Sequence, residues 1–260
     1  MIRLQVRTIF LIGLALVSAH NLLDSVHVPG NNFAAFLWAL LHDPERFTFG
    51  RYHIYAHYPI IPWIGILALG YATGSLYAKD YDETKRRDGL LIAGIVSVVL
   101  FILLRWWNVY GDPSPWKVQQ NPVFTILSFI NVTKYPPSLL YTLMTIGPAL
   151  IFLSVAERPL KNWTSWLSTL GRVPMFYYLA HILLIHILAL GGVLVCGYSL
   201  GSMVLSNTVY NDPELMGYGF SLPVVWLIWI ALIAMLYPFC KWYDGYKRKH
   251  HKKYWWLSYL

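Results

Sequence analysis

The stretch "GLLIAGIVSVVLFILLRWW", residues 89–107, carries no charge over its first 16 positions and a single one, Arg105, near its end. About 20 mostly apolar residues cross a bilayer as a helix, and a run this long and this apolar has no polar face to offer water. Outward from it, five further windows repeat the pattern, at approximately 7–24, 58–78, 137–156, 173–196 and 222–240. Backbone groups in lipid must be hydrogen-bonded internally, which favours helices for such runs. The chain therefore reads as all-α: a polytopic transmembrane helix bundle of about six spans plus short interfacial helices. Its organisation reads as a single transmembrane domain over 1–240 followed by a basic cytoplasmic tail over 241–260.

Composition agrees, with 57% hydrophobic and 12% charged residues, the latter about half the share of an average soluble domain. The net charge of +8 raises nucleic acid as a partner, and the location of the charge argues against it. Lys241, Lys247, Arg248, Lys249, Lys252 and Lys253 directly follow the last span, where a basic segment sets topology beside anionic headgroups. Lys and Arg number fifteen on one side of the spans and four on the other, so the positive-inside rule makes both termini cytoplasmic. The first span has a competing reading as a cleavable signal peptide, given its basic start, short apolar core and Val17-Ser18-Ala19. "NNFAAFLWALLH" (31–42) and "NWTSWLSTLG" (162–171) read as amphipathic segments lying in the interface. Gly70 and Gly74 form a small-xxx-small pair. Cys196 and Cys240 give neither a disulfide framework nor metal spacing and read as packing residues, with no metal expected.

Polar residues gather at one membrane face, the outer one in this orientation. His20, Asn21, Asp24 and His27 end the first span; His53 and His57 precede the second; Arg105, Asn108 and Asp112 end the third; Asn131, Lys134 and Tyr135 precede the fourth. Ionisable groups at membrane depth mark functional or water-filled sites. On a continuous helix His20, Asp24 and His27 share a face, so Asp24 can orient His20, and an imidazole held that way can take a proton from an attacking hydroxyl or amine. The plainer alternative is a solvated helix end. Arg105 is open to two readings, a side chain snorkelling to headgroups or an anchor for a phosphate or carboxylate. "KYPPS" (134–138) reads as the entry turn of a helix. His181 and His186, about 140 degrees apart on a helix, cannot share an ion and read as histidines bonded to a neighbouring helix.

Four segments carry a resemblance: "YPIIPWIGILALGYATGSLY" (58–77), "RWWNVYGDPSPW" (105–116), "SFINVTKYPPSLLYTLMTIGPAL" (128–150) and "LGRVPMFYYLAHILLIHILAL" (170–190). Together, and in this order over nearly the whole chain, they resemble bacterial membrane proteins related to the heparan-alpha-glucosaminide N-acetyltransferase catalytic domain, also catalogued as a domain of unknown function. The resemblance implies an acyltransferase-like protein of the bacterial inner membrane. Acetyl-CoA or another acyl-CoA would be the donor, and a sugar or other amine or hydroxyl the acceptor. Members of that group begin with further helices, an "LRGL"-like opening and a histidine assigned the catalytic role; this sequence has none of these, so that histidine maps onto no position here and a longer chain is expected for activity. On the chain's own residues, His20 is the base and Asp24 its partner. Asn21, His53, His57, Arg105, Asn108, Asn131, Lys134 and Tyr135 line the substrate site, with Arg105 and Lys134 holding a coenzyme A phosphate or an acidic acceptor. Membrane lipids surround the bundle and self-association stays open. The alternative is a non-catalytic module or transporter-like bundle that needs a partner or further helices.

Overall fold

The computed structural model describes residues 4–157, 165–204, 213–250 and 253–258. Arg3, Arg158, Lys161 and Lys252 of the charge count, and 162–164 of the second amphipathic segment, lie outside them. The structure is 70% helical and 3% strand, and among the described residues six helices are long and apolar enough to span a membrane.

Two compact units divide the chain, Met1–Pro159 and Leu160–Leu260. In the first, α1 (Val6–Ala19) lies against α3 (Ile60–Gly74), and α4 (Glu83–Trp107) against α6 (Leu139–Ala156). Two short helices, α2 (Phe33–Leu41) and α5 (Pro122–Ile130), occupy the connections. Local chemistry sets their starts: Asn32, Asp82, Asn121 and Ser138 each accept an amide of the following first turn, the usual work of an N-cap side chain. Asn108 ends α4 in the left-handed region, at φ 59°.

Both helix pairs are antiparallel and locked by glycines. A Cβ on Gly94 would stand 2.6 Å from Ile151 and 2.8 Å from the Gly147 carbonyl. Gly13 and Gly65 play the same part between α1 and α3, facing Ala68 and Val17. Gly70 and Gly74, the pair singled out by spacing, face open space, so the close approach is made elsewhere. Arg86 closes the far end of the α4–α6 pair with a two-oxygen grip on Glu157, at 2.8 and 2.9 Å.

Residues ahead of the second span fold as a hairpin, β1 (Arg46–Phe49) and β2 (Tyr52–Tyr55), with Gly50 at φ 60° in a two-residue turn. Phe47 and Ala56 pack there with Ala35 and Ala39 of α2 in a small core.

The second unit holds α7 (Ser165–Arg172), α8 (Pro174–Val195) and α9 (Leu222–His250). The basic segment from 241 continues α9 as helix to His250, since Lys, Arg and Tyr do not break a helix and cations suit its C-terminal end. Arg172 binds Asp244 through two nitrogens at 2.9 and 2.8 Å, and Arg248 joins it at 3.0 Å. Val173, Cys240, Tyr243 and Leu257 form a core beside them. Cys240 is thus a packing residue, whereas Cys196, capping α8, is exposed. Among the described residues, His181 and His186 hydrogen-bond carbonyls of their own helix, Tyr177 at 3.1 Å and Ile182 at 2.8 Å, and not of a neighbouring one.

Candidate functional site

The first unit carries the polar cluster. After Ala19 the α-helix tightens into a 3-10 turn over His20–Leu23. In such a turn residues three apart line up, so the pairing moves by one position. Asn21, not His20, meets Asp24: its Nδ2 donates to Oδ2 at 2.8 Å. The bond expected from Asp24 to the His20 ring is not made, and His27 pairs with Asp43 at 2.8 Å, away from the shared face a straight helix would give.

The place beside His20 is taken by His42, at the end of α2. Its ring centre lies 5.6 Å from that of His20, its Nε2 2.9 Å from the His20 carbonyl oxygen and 3.6 Å from Asp24 Oδ1. Trp38, one turn earlier on the same face, stacks on the His42 ring at 5.6 Å. Both histidines are 2% exposed. Among the described residues neither ring nitrogen of His20 has a hydrogen-bond partner; the Pro137 carbonyl is close by without meeting that geometry. Burial holds the Asp24 carboxyl above the usual carboxylate range, while Asn21 and His42 pull it down. Sequence alone does not single out His42, because it closes a segment that reads as an interfacial helix. The Trp38–His42 spacing of one helical turn was the available signal.

Arg105, Asn108 and Asn131 form a second group with a structural task. The Arg105 guanidinium, 1% exposed, donates to the carbonyls of Phe129 (2.9 Å), Ser114 (2.9 Å), Ser128 (3.1 Å) and Asn131 (2.7 Å). Three of these close the C-terminal end of α5, where carbonyls lack intrahelical donors and a cation is favoured. With four bonds drawn from five N–H groups, Arg105 neither snorkels nor remains available to a phosphate. Asn108 exchanges two bonds with the Trp116 main chain, both 3.0 Å. Asp112 accepts from the amides of Ser114 and Thr133 and from the hydroxyls of Thr133 and Ser138. The Asn131 side chain is exposed and faces a shallow hollow of about 510 Å³ beside α5.

A third group is aromatic. His57 lies 4.0 Å from the Tyr135 ring, whose hydroxyl is 3.4 Å from that of Tyr58. Lys134 stands over the Tyr135 ring at 5.0 Å. The Tyr58 contact and Lys134 draw the Tyr135 hydroxyl below its ordinary value. Tyr58 and Trp63 wall a hollow of about 260 Å³. His53 stands apart on the exposed hairpin, bonded to Thr48 at 3.1 Å.

The two cations expected to hold coenzyme A meet this geometry differently. Lys134 is an exposed cation able to meet a phosphate; Arg105 is committed to carbonyls. One lysine does not by itself bind a multiply phosphorylated nucleotide, so the cluster around His20 fits the acceptor's side of a transfer site and not the nucleotide's. No family model, curated protein or solved structure matches the chain.

Proposed function

We propose that the chain is a membrane-embedded acyltransferase-like protein, acting on a hydroxyl or amine of a sugar or similar acceptor at the outer face of a bacterial inner membrane. The observation that carries this reading is His20, a 2% exposed imidazole with both ring nitrogens unpartnered among the described residues, set beside His42 and Asp24. Leaving a buried polar group unpaired is unfavourable by about 1–3 kcal/mol. A ligand that completes the ring would remove that penalty. An acceptor nucleophile must lose its proton to a group within hydrogen-bond reach, and this cluster provides one. The four family-like segments support the reaction class. The one-sided charge distribution supports cytoplasmic termini.

Reconstituted in liposomes with radiolabelled acetyl-CoA and glucosamine-terminated or hydroxyl acceptors, the protein is expected to label an acceptor. His20→Ala and His42→Ala each lower the rate by about 100-fold or more, while His53→Ala leaves it unchanged. Failure to label any acceptor, or full activity in both cluster variants, removes the reading.

A second reading, a non-catalytic module completed by partner helices, is favoured by α8, of whose span only 6% is buried. It predicts no saturable acyl-CoA binding and co-purification of further helices or of a second copy.

A further inference from the structure

We infer that His20, Asp24 and His42 form a site for one divalent first-row transition ion, with Zn²⁺ the best match. The site stands on its own geometry; its use in activating the acceptor rests on the reading above. Its three donors come from two elements, the turn that ends α1 and the end of α2, and their ligand atoms all lie within 4.8 Å of one another. Tetrahedral zinc, bonded at about 2.0–2.2 Å, holds its ligand atoms roughly 3.4 Å apart. The His42 to Asp24 separation of 3.6 Å is already near that value, and side-chain rotation that closes the widest separation, at most 4.8 Å, to roughly 3.4 Å brings in His20.

The donor set selects the ion. Two imidazoles and one carboxylate suit zinc and its neighbours, whereas Mg²⁺ and Ca²⁺ take oxygen shells. Three protein ligands leave a fourth position for water or an acceptor, the pattern of catalytic and not structural zinc.

An independent observation points the same way. His20 is shut from solvent with neither nitrogen engaged, an arrangement that a cation would complete. Outer contacts already orient the other ligands. Asn21 binds Asp24 Oδ2, leaving Oδ1 toward His42, and is itself fixed by the Leu139 amide at 2.9 Å. Trp38 stacks on His42 and sets its ring plane. Supports of this kind orient metal ligands and are worth 10- to 100-fold in affinity. His42 Nε2 faces the His20 carbonyl and can only donate to it, so metal binding would release that proton and turn the Nε2 lone pair from the carbonyl to the ion. The pair of histidines is 22 residues apart, a separation no short metal motif contains.

The test uses the full chain, purified without a histidine tag, stripped with chelator and titrated with Co²⁺ and then Zn²⁺. One equivalent of Co²⁺ per chain is expected to give visible d–d bands that Zn²⁺ removes. X-ray absorption of the zinc-loaded protein is expected to show two imidazoles and otherwise oxygen. His20→Ala, His42→Ala and Asp24→Asn each lower affinity at least tenfold; His53→Ala and the tail variant His250→Ala with His251→Ala keep one equivalent. Should a cluster variant fail to fold, the ligand shell of the wild-type protein decides. No stoichiometric uptake, a shell lacking two imidazoles, or unchanged affinity in folded His20→Ala and His42→Ala overturns the site. Zinc bound without acyl transfer removes the proposed function and leaves the site standing. Transfer by metal-stripped protein keeps the function and removes the metal from it.

Discussion

Asn21 accepts the main-chain amide of Leu139, the first residue of α6, at 2.9 Å. Two segments 118 residues apart are thereby joined at the cluster, and the same side chain holds Asp24. Asn21→Ala leaves a helix-start amide, and the Oδ2 of a half-buried carboxyl, without their hydrogen-bond partner. The expected loss is about 1–3 kcal/mol of stability, read as a lower midpoint in an SDS or urea titration of the detergent-solubilised protein. An unchanged midpoint would show that water replaces the side chain at no penalty.

Arg105 gives the second prediction. Its planar fork reaches four carbonyls, which the ammonium of lysine cannot do from one point. Arg105→Lys is expected to lower stability by at least about 3 kcal/mol, with the zinc affinity and acyl transfer proposed above unchanged per folded molecule. A variant that folds normally but loses activity would return Arg105 to the ligand site.

The spans were legible because a run such as 89–104 has no charge and no polar period, so length alone decides it. The hairpin has a local signal too: "RFTFGRYHIY" (46–55) puts a glycine first in a two-residue turn between alternating strands. Other features had no local signal. Whether four residues after α1 wind with 3.6 or 3.0 residues per turn depends on what packs around them, yet that choice determines whether Asp24 meets His20 or Asn21. The Arg105 partners and His42 lie in segments whose approach is fixed by tertiary contacts. Residue type alone could not tell Gly94 and Gly147, which meet a neighbouring helix, from Gly70 and Gly74, which do not.

That contrast makes the third prediction. Gly94→Ala places a methyl 2.6 Å from Ile151 and 2.8 Å from a main-chain oxygen, so α4 and α6 must separate. Overpacking of this kind typically costs about 1–3 kcal/mol. Gly70→Ala meets nothing within 4 Å and, with alanine the better helix former, leaves stability equal or slightly raised. Equal midpoints for the two variants would contradict the α4–α6 pairing.

The fourth prediction concerns pH at the far end of the same pair. The Arg86 bond holds the Glu157 carboxyl below its ordinary range, with Tyr77 helping and burial opposing. A carboxyl with a depressed folded-state value adds stability above its unfolded value, about 4.3, and loses it as pH falls through the folded value. Wild-type protein is therefore expected to exceed Glu157→Gln in unfolding midpoint at pH 7, and the gap should narrow only below about pH 4.3. Raised salt should shrink the gap little, because both side chains are mostly covered, at 14% and 12% exposed. A gap that stays constant down to pH 3 would mean that shape, and not charge, joins Arg86 to Glu157.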